Sequence, residues 1–329
     1  MRRRDFVTLL CGSAVVAWPP AALAQQSGKT YRVGLLSTGG AIGVGDERRK
    51  AIIVVLAEQG FVEGRNLVFE AHGGEGRRER LSEDAAAMKA SKVDVIVSFG
   101  YPAALAAKTS APGVPIIVTG AGDPVATGLV EALARPGGNL TGITELATEL
   151  SAKRLEILKE AVPNLRRVAM LFNAADLGMT LRYRAAEAAA QVLGVSVQTL
   201  GVQEPNDFDD AFGKMTQSRP DAILMVSDAL TNLNRRRIME FALANKLPAI
   251  YEFSSLVRDG GLMSYGPNLA AIGVRTGDFV VRILRGGRPA DLPLEQPTQF
   301  ELVINLKTAK ALGLDLSPTM LSRADEVIE

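Results

Sequence analysis

Histidine appears once in these 329 residues, cysteine once, and aromatic residues make up only 5%. Each scarcity closes off some chemistry. A Ser-His-Asp relay or a multi-histidine metal site could be built only around His72, which ends a predicted strand beside Gly73 and Gly74 and reads as a surface or capping residue. No G-x-x-x-x-G-K-S/T phosphate loop and no G-x-S-x-G nucleophile turn occurs. A loop with Gly39, Gly40, Gly43 and Gly45 follows the first strand, but its spacing is not G-x-G-x-x-G, because Gly43 and Gly45 are followed by Arg48 rather than a small residue. No catalytic residue, metal ligand or cofactor is therefore expected. Lys and Arg number 37 against 36 Asp and Glu, so neither a basic stripe nor a stacking platform for nucleic acid is present.

The first 24 residues stand apart. Arg2, Arg3, Arg4 and Asp5 precede an apolar run from Val7 to Trp18, and Ala22-Leu23-Ala24 offers a small-residue cleavage site. This is the pattern of a signal peptide cut after Ala24, with an apolar run too short to span a bilayer. Arg3-Arg4-Asp5-Phe6 resembles the twin-arginine export motif, with Arg2 where that motif has Ser or Thr. Cys11 follows Leu10 rather than a small residue, so lipidation is not expected. Cleavage would leave no cysteine, and with it no disulfide or thiolate chemistry. It would also remove three Arg and one Asp, taking 37 against 36 to 34 against 35.

The remaining chain alternates predicted strands and helices. Val93, Val95, Ile96, Val97 and Phe99 read as a strand covered on both faces, Gly100 ends it, and Pro102 fits the first turn of a helix. A second copy of this design runs from Asp221 to Val226 and into Ser227 and Asp228. Tyr31–Ser37 matches Arg166–Phe172 and Val114–Val118 matches Leu247–Tyr251 in the same order, so the two halves read as a structural duplication. The spacing predicts a helix opened by Asp123 and Pro124 and running to about Ala134, and a terminal helix after a strand at Gln299–Asn305. The fold expected is α/β, two doubly wound Rossmann-like lobes joined by a multi-strand hinge. Residues 28–145 would form the first lobe, rejoined by about 256–290. Residues 146–255 would form the second, completed by about 298–329.

Open parallel sheets bind ligands at the carboxyl ends of their strands. The loops there give the candidate ligand contacts: Ser37, Thr38, Gly39, Gly100, Tyr101, Pro102, Ala103, Thr119 and Asp123 from the first half, and Asn173, Ser227, Asp228, Tyr251 and Tyr265 from the second. A helix N-terminus facing an acidic side chain suits a ligand with a carboxylate and an ammonium group, which describes an amino acid. Asp123 and Asp228 read equally as helix caps, and the tyrosines as core or rim residues.

Gly60-Phe61-Val62-Glu63-Gly64-Arg65-Asn66, Gly122-Asp123-Pro124-Val125, Leu133-Ala134-Arg135-Pro136-Gly137-Gly138-Asn139, Gly260-Gly261-Leu262-Met263-Ser264-Tyr265-Gly266-Pro267 and Phe300–Ala309 together carry a resemblance. Through nearly all of the mature sequence the chain resembles the substrate-binding proteins of bacterial ABC transporters, in the group that includes tryptophan- and tyrosine-type binders. The resemblance implies a type I periplasmic binding fold, a small-molecule ligand held in the interlobe cleft, and delivery to an ABC permease in the inner membrane. It implies a monomer in the periplasm and no catalysis. Family members commonly carry Thr or Ser where this chain has Tyr101, so the ligand expected, an amino acid such as an aromatic one or a related carboxylate, can differ from theirs. The rival expectations are an exported α/β enzyme using His72, Asp123 or Asp228, and a ligand-sensing domain of a signalling system.

Overall fold

The computed structural model describes residues 28–329. The expected signal peptide lies outside the described residues. The first sheet is built from β1 (Tyr31–Ser37), β2 (Leu67–Gly73), β3 (Val95–Phe99), β4 (Ile116–Thr119) and β5 (Leu140–Ile143), all parallel, in the order β2-β1-β3-β4-β5. Alternate residues feed opposite faces, as the two-residue strand period requires. Val33, Leu35, Val95, Val97 and Ile117 pack in one cluster with Ile52 and Leu56 of α1 (Glu47–Glu58). Leu36, Ile96, Ile116 and Val118 pack in the other with α2 (Arg78–Ala90) and α3 (Tyr101–Ser110).

After α4 (Ala147–Ala161) the pattern repeats through β6 (Arg167–Asn173), α5 (Leu177–Val192), β7 (Ser196–Val202), α6 (Asp207–Ser218), β8 (Ala222–Met225), α7 (Ala229–Leu233), α8 (Arg235–Ala244) and β9 (Ala249–Tyr251). Then come α9 (Ser254–Arg258), β10 (Met263–Pro267), α10 (Leu269–Leu284), β11 (Phe300–Asn305), α11 (Leu306–Leu312), α12 (Pro318–Ser322) and β12 (Glu326–Ile328). The second sheet runs β12-β11-β10-β9-β8-β6-β7, with β11 antiparallel to β10. Its order β7-β6-β8-β9-β10 repeats that of the first lobe.

The repeat extends to single side chains. Asp94, just before β3, accepts from the Arg32 amide at 2.8 Å, and Asp221, just before β8, accepts from the Arg167 amide at 2.8 Å. Each carboxylate ties down an amide at the start of the neighbouring strand. This is the two-lobed α/β architecture of the type I periplasmic binding proteins.

The chain differs from the sequence expectation in three places. Residues 124–134 form successive turns rather than a helix. Thr127 closes one turn on Asp123, and Gly128 then adopts a φ of 72°, which reverses the chain. β10 belongs to the second sheet, paired with β9 and β11, so the return to the first lobe begins after Pro267 and not near 256. The chain ends on β12, paired with β11, rather than on a helix.

Three segments pass between the lobes, after β5, between β10 and α10, and before β11. They are bonded side by side: the Thr144 amide donates to the Glu295 carbonyl at 2.9 Å, the Glu295 amide to the Gly142 carbonyl at 2.9 Å, and the Asn268 amide to the Gln299 carbonyl at 3.0 Å. Three adjacent crossings restrict relative motion to a hinge. Among the described residues no helix is long and apolar enough to cross a membrane.

After its crossing, α10 lies directly on α1. A Cβ placed on Gly273 would sit 2.6 Å from the Arg48 carbonyl oxygen, and one on Gly277 would sit 2.8 Å from Val55 Cβ. Gly273→Val should therefore force the helices apart and lower stability by about 3 kcal/mol in urea unfolding. Gly213→Ala, in open space on α6, should instead raise it by about 0.5–1 kcal/mol.

Candidate functional site

The carboxyl ends of both sheets face one another across a cleft of about 290 Å3. From the first lobe its walls are Ser37, Thr38, Gly39, Arg48, Phe99, Gly100, Tyr101, Pro102, Thr119 and Gly120. From the second they include Asp176, Met179, Arg182, Ser227, Asp228, Asn232, Arg235 and Phe253. The lobes also touch at the cleft mouth. Arg258 Nη1 of α9 lies 2.7 Å from Glu47 Oε1 of α1, and the Arg78 guanidinium donates to the Ala175 carbonyl. This is a closed arrangement.

Nine of the sequence candidates line this cleft: Ser37, Thr38, Gly39, Gly100, Tyr101, Pro102, Thr119, Ser227 and Asp228. Ala103 stands just behind it, its amide donating to Thr38 Oγ1 at 3.3 Å, so the hydroxyl of Thr38 rather than a ligand occupies that donor. Asn173 supports Asp228 from behind, donating from Nδ2 to Oδ2 at 2.6 Å. Asp228 also caps α7, accepting from the Thr231 amide at 2.9 Å, so cap and cleft wall are one residue.

The other three candidates lie elsewhere. Asp123 caps its own turn, accepting from the Val125 and Ala126 amides at 3.0 Å each. Tyr265 belongs to β10, its ring stacked on Phe300 at 6.4 Å between centroids and its carbonyl accepting from Arg154. Tyr251 is fully buried in the second lobe and lines a separate cavity there. His72, the enzyme reading's base, lies between Asp84 and Glu70 at 3.0 and 3.2 Å and does not line the cleft. Among the described residues, no group of three or more His, Cys, Asp or Glu side chains could hold a metal ion.

Apart from Asp228, the charges of the cleft are not among the sequence candidates. Arg48 is held flat, Nε and Nη2 donating to Asp46 at 3.1 and 2.7 Å while the guanidinium lies 4.7 Å from the Phe99 ring centre. Burial works against the Asp46 carboxylate, but the bonds and charge of Arg48 outweigh it and hold its pKa below the usual carboxylate range. Deeper in, Arg182 Nη2 meets Glu145 at 2.9 Å and Nη1 meets Glu252 at 2.9 Å, and Arg154 Nη1 meets the other Glu252 oxygen at 3.0 Å. All four side chains are almost wholly excluded from water.

Burial disfavours both guanidinium charges. Around Arg182 it is outweighed by Glu252, Glu145 and Asp176, and the pKa rises. Arg154 has Glu252 beside it but also feels the charge of Arg182, and its pKa falls. Asp176 is pushed up by burial and by the neighbouring Asp228 charge. Three buried polar atoms of cleft residues, Arg182 Nε, Ser227 Oγ and Asn232 Oδ1, have no hydrogen-bond partner. Native buried groups rarely remain so.

The sequence profile of the ABC transporter substrate-binding proteins matches residues 44–328. The chain belongs to that family. Members are substrate-binding proteins, not enzymes; they bind small molecules, are exported and work with ABC permeases. A tyrosine-binding protein of Clostridioides difficile is 24% identical over 269 residues, covering 82% of this chain and 77% of its own. A structure from Streptococcus pneumoniae in complex with L-Trp is 25% identical, with a TM-score of 0.83 over 91% of this chain and 100% of its own. A conserved domain protein of Vibrio cholerae, also 25% identical, gives a TM-score of 0.85 over the same shares.

Arg154→Met leaves Glu252 buried with one partner fewer and should cost about 3–5 kcal/mol in urea unfolding. Asp176→Asn removes a carboxylate whose folded pKa is raised. The wild-type chain gains stability as this group protonates, so the variant's advantage should be present at neutral pH, fade as pH falls through the raised folded value and be gone below about 3.8. Thermal unfolding across pH checks this.

Proposed function

We propose that this protein binds one amino acid, in zwitterionic form and with an aromatic side chain, in the interlobe cleft, and delivers it to an inner-membrane ABC permease. The observation that carries the reading is what charge pairing leaves over in the cleft. Arg48 is paired to Asp46, Arg235 to Asp259 and Arg182 to Glu145 and Glu252, which leaves the unbonded Nε edge of Arg182 beside the carboxylates of Asp176 and Asp228, a match to a ligand with both signs of charge. Arg182 Nε and Ser227 Oγ are the donors for the carboxylate. Asn232 Oδ1 and Asp228 are the acceptors for the ammonium group. Tyr101, Phe99, Met179 and Phe253 wall the side-chain end.

The tyrosine-binding relative and the L-Trp complex support an aromatic ligand. Ser37, Thr38, Gly39, Gly100, Pro102 and Thr119 complete the pocket from the first lobe. The ligand touches both lobes, so it favours the closed state by its differential affinity. We further propose that residues 1–24 direct export to the periplasm, by the twin-arginine route, where the protein acts as a monomer.

Thermal unfolding of the mature chain with L-Tyr, L-Trp and L-Phe, and with the decarboxylated and deaminated analogues tyramine and 4-hydroxyphenylacetate, tests the reading. A ligand at 100 times its Kd adds about 2.7 kcal/mol. At least one of the amino acids should raise the midpoint, and both analogues should not. Tyr101→Ala should weaken that ligand about tenfold, roughly 1.4 kcal/mol, with little change in the ligand-free midpoint. Equal binding of tyramine would remove the zwitterion from the account.

A further inference from the structure

The duplicated lobes differ at one flank. In the first lobe the chain between β4 and β5 turns back along α3: Leu129 and Val130 join its apolar cluster, and Lys108 Nζ of α3 donates to the Leu129 carbonyl at 2.8 Å. In the second lobe the corresponding chain, between β9 and β10, forms α9 and packs on β10 and β11 instead. The flank of α8 is left facing α11 across a cavity of about 760 Å3. Leu233, Met239, Leu243, Leu247, Leu262 and Leu312 supply its apolar walls.

Tyr251 lines this cavity. It is 1% exposed, Gly261 backs its ring, and its hydroxyl has no hydrogen-bond partner among the described residues. The ring is buried, but the hydroxyl, which the protein leaves unbonded, opens on the cavity, so its acceptor must come from water or a ligand. At the rim Arg235 is neutralised by Asp259 at 2.7 Å, and Arg236 and Glu240 bring opposite charges. The cavity thus offers apolar walls, the unbonded Tyr251 hydroxyl within, and rim charges that sum to zero. Its size lies within the range of small-molecule sites.

We propose that this cavity is a second ligand site, taking an uncharged molecule with an apolar body and one hydrogen-bond-accepting group directed at the Tyr251 hydroxyl. Leu233 and Arg235 line both this cavity and the interlobe cleft. The second site therefore abuts the first, sharing Arg235 but not Arg182, Glu145, Asp176 or Asp228, and it does not depend on the amino-acid reading.

Methionine methyl groups report on the two cavities separately, Met239 in this one and Met179 in the cleft. With acetophenone as the probe and 13C-methyl-methionine NMR as the readout, the Met239 resonance should shift and saturate with a Kd of about 1 mM or tighter. Tyr251→Phe keeps the ring, removes only the unbonded hydroxyl and should fold normally; it should weaken the probe about 3- to 10-fold. Leu243→Trp, which fills the groove from α8, should abolish the Met239 response. A response at Met179 alone, no saturating response at Met239, or equal affinity in Tyr251→Phe and the wild type would each overturn the proposal.

Discussion

Four charged side chains removed from water hold the interior of this protein in register. Arg154 and Arg182 come from α4 and α5, Glu252 from the chain just past β9, and Glu145 from the first segment to leave the first lobe. A buried ion is tolerable only when paired, so these four groups fix one another's positions and, through Glu145, the place where the hinge begins, with only the Arg182 Nε edge left unbonded. The first lobe makes room for them. Gly120 has no side chain, and a Cβ there would fall 2.6 Å from Glu145 Oε1.

The cleft inherits its character from that network. Its floor is already charge-paired, so the potential a ligand meets comes from what pairing leaves over: an unbonded Arg182 edge, Asp176 with a raised pKa beside Asp228, and an arginine pinned flat between Asp46 and Phe99. Arg48, Arg182 and Asp228 are each held by partners within the protein, which limits the ordering cost of binding. Glycine at positions 273 and 277 lets α10 press on the helix that carries Arg48, so a segment returning from the second lobe fixes a residue of the first.

Much of this architecture was legible in the sequence because strand burial and turn chemistry are local. Strands with β-branched residues on both faces, Gly100 before Pro102 and Asp221 before β8 each announce themselves within a few positions. The duplication carries further information that the expectation for 256–290 did not use: a crossing after the fifth strand of the first lobe implies one after the fifth strand of the second, which places β10 in the second sheet. The turns at 124–134 escaped because Asp123-Pro124 opens a turn and a helix alike, and Gly128 decides between them. The cleft candidates were readable as loop ends. Arg48, Arg182, Glu145 and Glu252 were not, because a helix-borne arginine looks like a solvated face until its carboxylate partners, some 37 and 70 residues away from Arg182, are brought to it. Tyr251 shows the converse limit, since a strand-end aromatic can turn to either side of the sheet.

The most direct measurement is a crystal structure of the mature protein grown with the aromatic amino acid that most raises its unfolding midpoint. The account predicts density for one molecule between Tyr101 and Asp228, its carboxylate within hydrogen-bond distance of Arg182 or Ser227 and its ammonium group within reach of Asp228 or Asn232. Density confined to one lobe, or an amino acid bound with no contact to these four polar residues, would contradict it.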